Sequence, residues 1–281
     1  MPSIHELTRE EAERLVAAIG IPPRPAVVLT VMDEKSKEEP DLMVIGDAIS
    51  RDVGVAAALL KTVNSPLFGL RNPVRSIPHA VSLLGLRQVS TLVNSLALKT
   101  TLNAQGIERF WDQSARIAML SAWLAGKLGH DRDSAHLFGL FRDAGIPLLM
   151  RRFKDYKDTL RLANQDAARG FTEIEDERHG MNHAIVGAIV ARNWLLPDAL
   201  REAILRHHDA TLFSGQAASE VKNLVALSHL AGQIESRATR NQNDSEWSRI
   251  AGPSLAWLML GDEDVHDLTQ SAASLLLEDT L

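Results

Sequence analysis

Asp133-Ser134-Ala135-His136-Leu137-Phe138-Gly139-Leu140-Phe141-Arg142-Asp143-Ala144-Gly145-Ile146-Pro147-Leu148-Leu149-Met150 is the stretch whose reading decides the fold. Its apolar residues recur at three- and four-residue spacing, the period of a helix with one buried face, so residues 133–150 are expected as one helix. Gly129-His130-Asp131 separates it by a turn from a second helical pattern over 110–128. Towards the C-terminus the same period continues over 155–168, 182–194 and 198–208, the last two divided at Leu196-Pro197, where proline suits a helix start. After a loop at 214–216, helices are expected over 221–234 and 253–260, followed by a short Leu-rich tail. Towards the N-terminus, Leu86, Val89, Val93 and Leu96 form a stripe, and residues 76–84, 53–63 and 41–50 begin with polar residues and continue apolar. Thr8 and Glu11 make a capping-box pattern ahead of a short helix over 8–18, which Ile21-Pro22-Pro23-Arg24-Pro25 stops. No segment alternates as a strand does. The expected fold is all-α, a two-lobed helical bundle: an N-terminal lobe over 1–105, a second lobe over 106–213 and a helical extension over 214–281.

Composition narrows the chemistry. With 281 residues, 45% of them hydrophobic, the chain buries a sizeable core, and its single Tyr makes that core mainly aliphatic. The absence of cysteine excludes a disulfide framework, a thiol nucleophile, Cys-ligated zinc and an iron–sulfur cluster. No stretch reaches the roughly 18 consecutive apolar residues of a membrane span, and the first residues lack the apolar run of a signal peptide, so a cytoplasmic protein is expected. A net charge of -6, from 36 acids and 30 bases, gives no global attraction to nucleic acid.

Any metal site must then use His, Asp and Glu. The candidates are Asp143, His179, His183 and the run His207-His208-Asp209. Each has an ordinary structural alternative, such as a carboxylate paired with arginine or a histidine near a helix C-terminus. His179 and His183 are four apart, but Gly180 and Asn182 place a helix start between them. Adjacent His207 and His208 on a continuing helix would point roughly 100° apart, leaving one of them to face a site.

Ile21-Pro22-Pro23-Arg24-Pro25, Arg51-Asp52, Lys61-Thr62-Val63-Asn64-Ser65-Pro66-Leu67-Phe68-Gly69, Ser76-Ile77-Pro78-His79-Ala80-Val81 and Leu83-Leu84-Gly85-Leu86 stand in an order found in a known family. So do Gly139 to Gly145, Asn182-His183-Ala184-Ile185-Val186-Gly187, Trp194-Leu195-Leu196-Pro197 and His207-His208. Over residues 18–212 the chain resembles the HDOD family, the HD-related output domains of bacterial signalling. The resemblance implies an HD-like second lobe, similar to the HD and HD-GYP metal-dependent phosphohydrolases. Those hold divalent ions through a His, a His-Asp doublet, further histidines and a late Asp. Position by position it implies a degenerate site. Gln113 stands where related sequences have the first His, the doublet reads Arg142-Asp143, and Ser228-His229 offers no Asp at the late position. A guanidinium stays protonated and has no lone pair for a metal. Arg142 is therefore expected to fill the place of the ion and to pair with Asp143 or Glu177, leaving Asp143, His183, His207, His208 and His229 as residual ligand candidates.

From this follow the expectations of no cofactor, no catalysis and a signalling output or adaptor role through a protein partner or a small anionic ligand, with neither membrane nor nucleic acid as partner. Lys61, Arg71, Arg75 and Arg87, close in sequence to the Asn-Ser-Pro loop, are the candidate anion- or partner-binding residues. The alternatives are a phosphohydrolase for a nucleotide or cyclic dinucleotide, working with the residual ligands, and a nucleotide- or nucleic-acid-binding module. The loop itself, carrying Leu67, Phe68 and Leu70, is expected to pack as an apolar plug.

Overall fold

Pro25 fixes a backbone suited to entering a helix, and helix α1 (Ala26–Lys35) starts behind it, burying Val27, Val28 and Val31. In the computed structural model, which describes residues 19–64, 70, 72–102, 107–166 and 168–278, every regular element among the described residues is helical. The expected helix over 8–18, most of the Asn-Ser-Pro loop, Arg71 and the boundary at 103–106 lie outside the described residues. The described chain divides into two compact units, one of residues 23–103 with 273–281, the other of the remaining described residues up to 272.

In the first unit Asp41 caps α2 (Leu42–Arg51) by accepting from the Met43 amide, and Asp52 caps α3 (Val53–Val63) by accepting from Val55. Asn64 then holds both backbone groups of Val74, at 2.7 and 2.8 Å. Helix α4 (Ile77–Thr101), capped by Ser76, packs on α1, α2 and α3. It bends at Gly85, whose φ of 72° suits a residue without Cβ and marks the break expected between residues 84 and 86. It is also the one described helix long and apolar enough to cross a membrane by length and composition, and it buries Val89, Val93 and Ala97. Lys61, Arg75 and Arg87 are all exposed in this unit.

The second unit contains α5 (Glu108–Leu128), α6 (Arg132–Phe141), α7 (Gly145–Arg152), α8 (Tyr156–Gln165), α9 (Phe171–His179), α10 (His183–Asn193) and α11 (Asp198–Arg206). A 3-10 turn (Ala210–Phe213), α12 (Ser219–Arg240), α13 (Trp247–Leu258) and the start of α14 (Asp262–Glu278) complete it. Helix α12 is its centre, packed on α5, α6, α11 and α13 and buried almost continuously from Leu224 to Ser236. Trp111 and Trp194 are buried in the core, Trp123 is half-buried, and Phe141 meets Trp194 edge to face.

Three local expectations are corrected. Residues 133–150 are two helices, because the chain turns at Arg142–Ala144, with the Ala144 amide closing on Phe141 and the Ile146 amide on Asp143. Helix α9 falls in a stretch whose charge density conceals its Phe171/Ile174 buried face. Pro253 lies inside α13 rather than at its start, and the tail is a 17-residue helix.

Candidate metal centre

The turn between α6 and α7 places Asp143 at the centre of the second unit. It lies against the start of α10 because residue 145 is glycine: a Cβ there would stand 2.2 Å from the His183 carbonyl oxygen. Asn182 caps α10 by accepting from the Ile185 amide, so His183 is the first residue of that helix and its ring faces Asp143. Helix α11 ends at Arg206. His207 and His208 follow as the chain swings into the 3-10 turn that Asp209 caps.

Four donor atoms converge there. His183 Nε2 is 3.3 Å from His207 Nε2 and 3.0 Å from His208 Nε2, while Asp143 Oδ1 is 3.5 Å from His183 Nε2 and 3.3 Å from His207 Nε2. All four lie within 4.8 Å of one another. Bonds of about 2.0–2.1 Å to one tetrahedral ion set neighbouring donors about 3.3 Å apart, and octahedral coordination sets them slightly closer. These four edges fit neighbouring positions of an octahedral ion.

The outer nitrogens support the same conclusion. Each Nδ1 faces an acceptor: Glu175 Oε2 for His183 (2.6 Å), the Ile204 carbonyl for His207 (2.7 Å) and Glu246 Oε2 for His208 (2.9 Å). Once His183 Nε2 gives up its proton, a proton on each Nδ1 leaves three Nε2 lone pairs and a carboxylate oxygen directed at one point, the arrangement a divalent ion needs. Glu175 is fully buried and is itself held by the Tyr156 hydroxyl and the His183 amide.

Charge follows this geometry. Burial opposes the charged form of His183, yet Glu175 and Asp143 outweigh it and hold its pKa up at about 10. Burial lowers the pKa of His207 and takes that of His208 well below the ordinary range, the neighbouring rings adding to the second effect. Burial works to raise the Asp143 pKa, but Arg142 and hydrogen bonds from His183 and His207 bring it well below a normal carboxyl.

The expected loss of the ligand set, and with it the exclusion of an enzyme, is therefore corrected. Arg142 does not occupy the convergence point. Its Nε donates to Asp143 Oδ2 (3.1 Å), the oxygen opposite the cluster, and Nη1 donates to the Ser228 hydroxyl (3.0 Å) and carbonyl (3.3 Å). Of its two anticipated partners only Asp143 is met, since Glu177 pairs with Arg169. His207 and His208 both reach the cluster because the helix ends before them, so the 100° spacing of a continuing helix does not apply. His229 donates its Nε2 proton to the His207 carbonyl (2.6 Å) and thereby positions that residue from behind. Gln113 faces the buried Glu235, which Arg116 clasps with two nitrogens and Arg240 meets from the other side. His179 stacks on Phe153 and bonds Thr159, away from the cluster. Sequence reading missed Glu175 and Tyr156, whose charged or polar identities give no sign of full burial.

A cavity of about 300 Å³ opens beside the cluster. Phe110, Ile146, Leu160 and Phe171 form apolar walls, while Arg142 and Asn164 contribute polar groups.

The HDOD domain model matches residues 21–210, and the chain belongs to that family. An "Uncharacterized protein" of Treponema pallidum (strain Nichols) is 27% identical over 212 residues, covering 71% of this chain, which spans 40% of that relative's length. Among solved structures, one named "Putative phosphohydrolase", from Shewanella amazonensis SB2B, is similar with a TM-score of 0.72 at 21% identity over 94% of both chains. Another, named "Putative signal transduction protein", from Marinobacter aquaeolei VT8, has a TM-score of 0.74 at 21% identity over 95% of this chain and 60% of that one.

Proposed function

We propose that this HDOD protein is a metal-dependent phosphohydrolase of a signalling pathway, binding one divalent cation through Asp143, His183, His207 and His208. The observation that carries this reading is the convergence of three Nε2 atoms and one carboxylate oxygen, each ring backed by its own acceptor. A bound divalent ion supplies an activated water and charge neutralisation at phosphoryl oxygens. The residues supply the rest. Glu175 and Tyr156 orient His183, the Ile204 carbonyl and His229 orient His207, and Glu246 orients His208. The apolar walls limit water, and the cavity volume suits a small phosphate ester. Nitrogen and carboxylate donors favour zinc, iron or manganese over calcium.

Elemental analysis of untagged protein purified without chelators tests the centre, and turnover of p-nitrophenyl phosphate and bis-p-nitrophenyl phosphate tests the activity. The expected result is about one ion per chain, with hydrolysis abolished in Asp143→Asn. A folded protein that takes up no zinc, iron or manganese from excess overturns the reading. An ion without turnover of any phosphate ester overturns its enzymatic half.

A further inference from the structure

Arg142 is unusual for its position. It is a guanidinium 9% exposed, beside a metal centre, and two of its three nitrogens are fully occupied. Nε is bound to Asp143 Oδ2, and Nη1 places its hydrogens on the Ser228 hydroxyl and carbonyl. Nη2 has no hydrogen-bond partner among the described residues, while the side chain lines the cavity. An N–H pair that faces a cavity on a permanently charged group is free to donate to an anionic ligand there. Of the cavity's other acids, Glu246 accepts from His208 and Asp244 Oδ1 accepts from the Glu246 amide, while Asp244 Oδ2 lies beside Gly232 on the guanidinium's side. Gly232 lines the guanidinium's far side, and a Cβ there would come within 3.6 Å of Nη2.

Asp143 relates this arginine to the centre. One carboxylate oxygen points into the donor cluster and the other holds the guanidinium, so the two positive groups flank a single side chain. A phosphoryl group, with oxygens on every side, can meet both at once. We infer that Arg142 is the anion-binding residue of this site, its anchored guanidinium offering Nη2 to a phosphoryl oxygen of the ligand beside the metal centre. This rests on the metal-centre reading above only in placing the phosphoryl group between the ion and the arginine. The residue that interrupts the ligand doublet thus selects the ligand: a phosphate monoester or diester rather than a neutral compound. Arginine is suited to that task because its fork is rigid and always charged.

Calorimetric titration of inorganic phosphate into the full chain tests the inference, with metal content measured on the same samples. Wild-type protein should bind phosphate. Arg142→Met, with metal content unchanged, should bind it at least about tenfold more weakly, as expected for a lost charge-assisted bond. Arg142→Lys, which keeps charge but loses the fork, should fall between them. Equal phosphate affinity in wild type and in either folded, metal-replete variant overturns the inference, as does a wild type that binds no phosphate at millimolar concentration. Should both variants fail to fold, the guanidinium proton resonances of wild-type Arg142 are followed during the phosphate titration. Their displacement supports the inference and their immobility overturns it. The metal measurement separates the two readings. Arg142-dependent phosphate binding without metal removes the metal centre alone, whereas stoichiometric metal with Arg142-indifferent phosphate binding removes the clamp alone.

Discussion

Glu175→Gln is the substitution that most directly probes how the centre is built. Glu175 is wholly buried, places Oε2 2.6 Å from His183 Nδ1, and accepts the Tyr156 hydroxyl through Oε1. Glutamine keeps the shape and one accepting oxygen but removes the charge, so His183 retains its orientation while losing basicity. The charge-assisted bond is worth about 1.5–3 kcal/mol, and loss of such an outer partner commonly lowers metal affinity about 10- to 100-fold. The two ranges overlap near 2 kcal/mol, or roughly thirtyfold in Kd. Competition against a chromophoric chelator at constant pH, with thermal unfolding of the metal-free protein run alongside, reads the affinity apart from the fold. Tyr156→Phe, which leaves Glu175 its charge but one donor fewer, should weaken binding by less. A Glu175→Gln protein that folds and binds metal within twofold of wild type would show that the carboxylate does not tune the site.

Three further outcomes are expected. Gly145→Ala drives a Cβ into the His183 carbonyl, so α7 and α10 must separate; a lower Tm and loss of bound metal should appear together, and an unchanged Tm refutes the close approach. His183, with its pKa held up at about 10, is protonated in the metal-free protein at pH 7, so metal uptake should release close to one proton and tighten as pH rises towards 10; calorimetry in buffers of different ionisation enthalpy counts that proton, and no release counts against the assignment. Glu235→Ala leaves Arg116 and Arg240 without the carboxylate they share; because both arginines reach solvent, the loss should sit near the low end of the buried-pair range, about 3 kcal/mol in urea unfolding, and a change under 1 kcal/mol would mean the network adds little.

Periodicity made most of the helices legible, because helices such as α3 and α10 carry caps and apolar faces written within a dozen residues. Asp143 and His183 were legible as candidates for the same reason: one sits in an apolar run, the other behind an Asn cap. What failed were inferences that needed direction. Arg142 was expected at the ion's place, but the chain turns at residues 142–144, and the bond to Ser228, 86 residues away, carries the guanidinium off to one side. His207 and His208 were read as if on a continuing helix, and the position of its end reverses the conclusion. Glu175 lies among Glu173, Asp176 and Glu177, where local sequence reads as solvated charge; only the packing of α8 and α10 around α9 makes it the buried one.

The Tyr156–Glu175–His183 chain has a consequence for how the molecule comes apart. Those three residues belong to α8, α9 and α10, so opening any one helix breaks a bond that the other two depend on. The three should exchange their amide hydrogens as one cooperative block, and an ion held at His183 slows exchange even in α8, which supplies none of its four donors.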